Sequence, residues 1–141
     1  MTGYKLFFKT HDSTEYAEES VDCVGTSSFV LENRACYVNL STLIAAPFNL
    51  VLDEEIYTAV AASNYYGDSE RSEAYLAGLI QLVPDAPISL TNDDTVTDAT
   101  QIKLTWSDGA SNGGTNIIDY FVYYDQGTST QVQLASGLTV Q

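Results

Sequence analysis

Ile56-Tyr57-Thr58-Ala59-Val60-Ala61-Ala62, running into the turn Asn64-Tyr65-Tyr66-Gly67-Asp68, is the stretch that decides the fold. A short β-branched and aromatic run that stops at an Asn/Gly/Asp turn marks a strand, because Gly and Asn supply the backbone angles a reversal needs. The same signature recurs on both sides. Tyr4-Lys5-Leu6-Phe7-Phe8-Lys9 and Cys36-Tyr37-Val38-Asn39-Leu40 precede it, the latter with Cys36, Val38 and Leu40 on one face. Gln101–Trp106, Ile117–Tyr124, Gln131–Leu134 and Leu138–Val140 follow it. Ser69–Ile80 carries good helix formers behind a Ser/Glu start, but Gly78 and the short apolar run up to Pro84 favour a closing edge strand. Short strands separated by Gly, Asn, Asp and Ser turns predict an all-β antiparallel sandwich or barrel.

Charge narrows the function classes. The 141 residues hold 5 Lys+Arg against 19 Asp+Glu, a formal charge of −14. A nucleic-acid binder needs clustered cations to displace counterions from phosphate, and docking on anionic lipid needs them too. Neither class fits. Hydrophobic residues make up 45% of the chain and ten residues are Tyr, which supplies a core and excludes wholesale disorder. No apolar run approaches the roughly 20 residues of a membrane-spanning helix. The alternating start Met1–Lys9 does not read as a signal peptide.

Cys23 and Cys36 are the only cysteines and His11 the only histidine, so Cys and His alone cannot assemble a structural zinc site. The two thiols are either free and buried or joined as one disulfide. The polar segment between them reads as a surface excursion tied at its base, which favours the disulfide and an oxidising, extracellular setting. Enzymatic constellations are missing. His11 sits beside Asp12 and Ser13 in one turn, where neighbours in sequence rarely reach triad geometry, and Gly109–Gly114 matches neither a P-loop nor a dinucleotide fingerprint. The expectation is no catalysis and no cofactor other than calcium. Asp53-Glu54-Glu55 and Asp93-Asp94 are the candidate calcium ligands, weighed against plain solvated anionic surface. Asn39-Leu40-Ser41 is a glycosylation sequon, with Asn39 directed outward by strand alternation. Tyr65 and Tyr66 in the turn are candidate partner contacts.

Met1–Phe8 also echoes Ile117–Tyr124. Each places an apolar residue three before a Tyr, an aliphatic residue two after it and then an aromatic pair. Internal self-similarity of this kind is the mark of a repeat.

Together these residues resemble the fibronectin type III domain. Val83-Pro84-Asp85-Ala86-Pro87-Ile88-Ser89-Leu90 looks like its opening strand, Ile102–Trp106 like its second strand with Trp106 as the core tryptophan, and Asn112-Gly113-Gly114 with Ile117 and Tyr120–Val122 like the next loop and strand. Val60–Ser69 looks like its penultimate strand and turn. Ile56 stands where the family usually has a corner tyrosine, and the Cys23–Cys36 segment is an insertion. A disulfide-bearing variant with Cys36 to Leu43 and Ala46-Pro47-Phe48-Asn49-Leu50 is similar to repeats of large secreted or surface proteins of ciliated protists.

The resemblance implies Greek-key sandwich modules in tandem, each only partly present. Residues 1–82 would supply strands C to G of one module, and residues 83–141 strands A to E of the next, with Tyr4, Val60, Leu104, Trp106 and Tyr120 in the cores. Incomplete sandwiches leave apolar faces and free edges. The expected partners are therefore adjacent repeats or further copies in a polymer, with glycans as candidate attachments. The implied function is a structural repeat of an extracellular filament-forming protein, or a carbohydrate- or calcium-dependent adhesion module.

Overall fold

The computed structural model describes residues 2–138 and divides into two units, Met1–Gln81 and Leu82–Gln141. Every strand pairing in both units is antiparallel, and the fold is all-β apart from two short helices.

Met1–Gln81 runs β1 (Gly3–Lys9), β2 (Tyr16–Glu19), α1 (Ser28–Asn33), α2 (Leu40–Leu43), β3 (Glu55–Asn64), β4 (Gly67–Asp68) and β5 (Tyr75–Leu79). The sheet order is β2-β1-β3-β4, with β5 also pairing β3. Leu6 lies opposite Val60 and Phe8 opposite Thr58. Period-two geometry then turns Leu6, Phe8 and Ile56 to one face and Lys5, Phe7, Lys9 and Tyr57 to the other. The inner face is covered by a connecting segment rather than by a second sheet. Leu43, Phe48 and Leu50 pack there with Phe8, Ile56 and Ile80 to form the core. Phe48 meets Phe8 edge to face, with centroids 5.8 Å apart. Backbone bonds hold the cover in place: His11 N–H donates to Phe48 C=O at 2.8 Å and Leu50 N–H to Leu43 C=O at 3.0 Å. On the outer face Arg71 stacks over the Phe7 and Tyr16 rings, and Lys9 over Tyr57.

Leu82–Gln141 contains two separate hairpins. β6 (Ile88–Asn92) pairs β7 (Leu104–Ser107), and β8 (Val122–Tyr124) pairs β9 (Val132–Ala135). Ser89 takes φ 56° where the register slips between Ile88 and Thr91. Gly113 closes the loop between the hairpins with φ +73°, and a Cβ there would lie 2.0 Å from the Leu82 carbonyl oxygen. Only glycine fits. Leu82 N–H in turn donates to Gly113 C=O at 2.9 Å.

Several sequence expectations need correction. Cys36–Leu40 is not a strand: its last residue begins α2, because Asn39 precedes Leu40-Ser41-Thr42-Leu43 as an N-cap residue. The excursion between the cysteines contains α1, capped by Ser27 Oγ, which accepts the Val30 N–H at 3.3 Å. Val60 is 42% exposed rather than core, since Leu43, Phe48 and Leu50 gather at the Phe8–Ile56 end of the inner face. Tyr4, Leu104, Trp106 and Tyr120 are half-buried. Ile117–Tyr124 narrows to Val122–Tyr124, and Leu138–Val140 extends beyond the described residues. Ser69–Ile80 does form a strand, over Tyr75–Leu79. Among the described residues, no helix is long and apolar enough to cross a membrane.

Because Phe48 is the largest side chain of the cover, Phe48→Ala should lower the unfolding free energy by about 3–5 kcal/mol. Chemical denaturation followed by circular dichroism measures it.

Candidate functional site

The Cys23–Cys36 disulfide is present, with the two Cα atoms 5.5 Å apart. Its surroundings are built from two carboxylates. Glu19, 2% exposed, turns back at the end of β2 and accepts three consecutive backbone N–H groups, from Val21 at 2.7 Å, Asp22 at 2.8 Å and Cys23 at 2.9 Å. A buried carboxylate is tolerable only with such partners. Asp22 reaches across to α2 and accepts the Asn39 N–H, the Asn39 Nδ2–H and the Thr42 hydroxyl at 2.7–2.9 Å. The Thr42 hydroxyl and then the Asn39 donors hold the Asp22 carboxyl below its usual value. Asn39 is exposed, as the sequon requires, but it sits at the N-cap of α2 instead of on a strand. Neither Glu19 nor Asp22 stood out in the sequence, because Asp and Glu before a cysteine loop look like ordinary surface acids.

The acidic clusters are engaged internally. Glu54 accepts from His11 Nδ1 at 2.8 Å and from the Val51 N–H at 2.9 Å. Burial pushes the Glu54 carboxyl up, and the Val51 amide and His11 outweigh it, leaving the group below its usual value. Glu55 accepts the Tyr57 hydroxyl, and Asp93 accepts Lys103 and the Thr95 hydroxyl. Asp53 and Asp94 are exposed. Among the described residues, no group of three or more His, Cys, Asp and Glu side chains is arranged to hold a metal ion. His11 lies between Glu54 and Asp12, while Ser13 Oγ accepts the Glu15 N–H, so the three neighbours do not make a serine relay.

Tyr65 and Tyr66, 90% and 94% exposed, meet edge to face at the tip of the β3–β4 hairpin. The Asn64 side chain accepts the Tyr66 N–H and sets the turn.

A predominantly apolar feature lies in Leu82–Gln141. A cleft of about 290 Å³ opens between its hairpins, with Leu90, Leu104 and Trp106 on one wall and Tyr120 and Val122 on the other. Trp106 and Tyr120 meet at 5.4 Å between centroids, and the Tyr120 hydroxyl donates to Asp108 Oδ1. That bond stabilises the neutral phenol and raises its pKa. Among residues 82–138 only Gly113 is buried, while Leu90 is 66% and Leu134 67% exposed. Two hairpins with their apolar faces open are half of a packed layer pair, not a closed core. The expected core residues Trp106, Tyr120 and Leu104 do converge, but on the cleft. The sequence matches no family model and no curated protein.

Glu19→Gln should cost about 1–3 kcal/mol by weakening a buried three-amide anchor, whereas the exposed neighbour Glu18→Gln should change stability by less than about 0.5 kcal/mol. Urea titration of both variants compares them. The Asp22 carboxyl is depressed in the folded state, so its contribution is present above the unfolded value and fades as pH falls through the folded one. The melting-temperature advantage of the native chain over Asp22→Asn should therefore shrink below the ordinary aspartate value of 3.8. An advantage independent of pH would refute this role.

Proposed function

We propose that the chain is a structural repeat of an extracellular fibrous or filament-forming protein, made of fibronectin type III-like modules and acting without catalysis. The observation that carries this reading is the open state of Leu82–Gln141, with its apolar hairpin faces and aromatic cleft exposed. Monomeric domains rarely leave contiguous apolar surface of this kind uncovered. Surface that must be covered by further chain is the basis of a repeating assembly. The disulfide fits an oxidising compartment and closes a loop of 13-residue separation. Such closure is worth about 3 kcal/mol in the chain-entropy account, which suits a module under mechanical load. The copies and adjacent repeats are the proposed partners, and the Asn39 sequon is the proposed glycan site.

A second reading, an adhesion module, is favoured by one observation. Tyr65 and Tyr66 project from a hairpin tip, where rigid amphipathic rings are efficient contact residues.

Sedimentation velocity and negative-stain imaging of the purified chain separate the two readings. The structural reading expects concentration-dependent growth into elongated particles, reduced by Leu90→Asp or Leu134→Asp and unchanged by Tyr65→Ala with Tyr66→Ala. A monodisperse monomer at all concentrations would overturn it. Assembly lost with the tyrosines would favour the adhesion surface.

A further inference from the structure

The echo between Met1–Phe8 and Ile117–Tyr124 extends into strand pairing. At the same offset of 116 residues, Gly3–Phe8 corresponds to Asp119–Tyr124. β1 turns directly into its antiparallel neighbour β2, with Phe7 opposite Glu18 and Phe8 opposite Ala17. β8 likewise turns into β9, with Tyr123 opposite Gln133 and Tyr124 opposite Val132. β1 and β8 are thus alike in sequence and each turns antiparallel into the strand that follows it, although the β8–β9 register shifts by one residue between Val122 and Tyr123.

They differ on the other edge. β1 carries β3 there, Tyr4 opposite Ala62, Leu6 opposite Val60 and Phe8 opposite Thr58. β8 has β9 as its sole neighbour among the described residues. The consequence is visible in strand length: β1 is regular over 7 residues and β8 over 3. A strand with one partner leaves a row of N–H and C=O groups on its open side, which is a template for strand addition.

We propose that the open edge of β8 accepts an antiparallel strand of the β3 type, Ile56–Asn64 in sequence, supplied by a further copy of the repeat in which that segment is not already held between its own β1 and β5. Transferring the β1–β3 register sets Tyr120 opposite Ala62, Val122 opposite Val60 and Tyr124 opposite Thr58 of the added copy. Side-chain size supports that register. Along β3, Ala59 and Ala61 lie opposite Phe7 and Lys5, and in the added pair they would lie opposite Tyr123 and Phe121. Small residues facing rings leave room for them, while Val60 would meet Val122 on the cleft side. Phe121 and Tyr123, now 55% and 53% exposed, gain a neighbour, and the cleft beside Tyr120 and Val122 gains a wall. The proposal rests on the structural-repeat reading and names the contact through which one repeat completes another.

The test appends a second copy of residues 53–81 to the full chain after Gln141 through a flexible Gly/Ser linker of about 20 residues, which raises its effective concentration to roughly millimolar. Backbone amide exchange is measured by NMR on the fusion, on the native chain and on a fusion whose appended copy carries Val60→Asp. Pairing predicts at least tenfold slower exchange on the open side of Tyr120–Tyr124, lost with Val60→Asp, while exchange in β1 is unchanged. Unchanged exchange at Tyr120–Tyr124 would overturn the proposal, as would protection confined to β6 and β7. The structural-repeat reading is judged separately, by imaging the native chain: filaments without β8 protection would leave that reading intact and remove this pairing.

Discussion

The antiparallel pairing of β1 with β3 is the constraint on which Met1–Gln81 depends. Its register, Leu6 against Val60 and Phe8 against Thr58, decides which side chains face inward. A slip of one residue would send Phe8 and Leu6 outward and bring Lys5, Phe7 and Lys9 onto the core. The outer face resists that slip as well. Arg71 lies over Phe7 and Tyr16, Lys9 lies over Tyr57, and Lys5 pairs with Asp68 at 2.8 Å. Exposed ion pairs contribute little stability individually. Here they are correct only in one register, so their effect is on uniqueness.

With the sheet fixed, the second layer must come from somewhere, and it comes from a segment with little regular structure. Loops are poor covers because their backbone polar groups need partners. The segment from Ser20 to Asp53 meets that requirement locally. Glu19 takes the amides leading into Cys23, Asp22 takes the start of α2, and Ser27 caps α1. Gly25 lies so near β1 that a Cβ on it would fall 1.6 Å from the Tyr4 carbonyl oxygen, while its own carbonyl accepts the Tyr4 N–H. The disulfide then ties the two ends of the Cys23–Cys36 excursion, so the chain enters α2, and the stretch carrying Leu43, Phe48 and Leu50, from an anchored point.

Legibility in the sequence followed the reach of each signal. Strands such as Tyr4–Lys9 and Ile56–Ala62 were readable from their β-branched and aromatic content, although burial along β3 does not keep to one face: Ala59 and Ala61 are buried and Val60 is exposed. The strand in Ser69–Ile80 was readable only through Gly78 and the short apolar run up to Pro84, since Glu, Ala and Leu carry a helix preference that pairing with β3 overrides. Cys36–Leu40 shows the reverse failure. Its alternation is real, yet Asn39 before Leu40-Ser41-Thr42-Leu43 is equally a helix start, and Asp22, 17 residues away, supplies the deciding hydrogen bonds. The convergence of Leu104, Trp106 and Tyr120 was expected of a core. Their half-exposed state depends on neighbours that a local pattern does not describe.

Charge bears on what can approach the uncovered apolar faces of Leu82–Gln141. Leu82–Gln141 has seven carboxylates and one lysine. Asp85 accepts the Ser111 N–H, Asp98 and Asp125 accept loop amides, and Asp93 takes Lys103, so these acids first serve to fix turns. Their charge remains, and it repels a second anionic surface only within roughly the 8 Å screening length of physiological salt. At that range the repulsion opposes random lateral contact but not a strand entering along an edge, where backbone hydrogen bonds and ring burial are gained together. An acidic coat and an open apolar cleft are therefore compatible: like charge opposes unspecific lateral contact and does not oppose the strand addition proposed for β8.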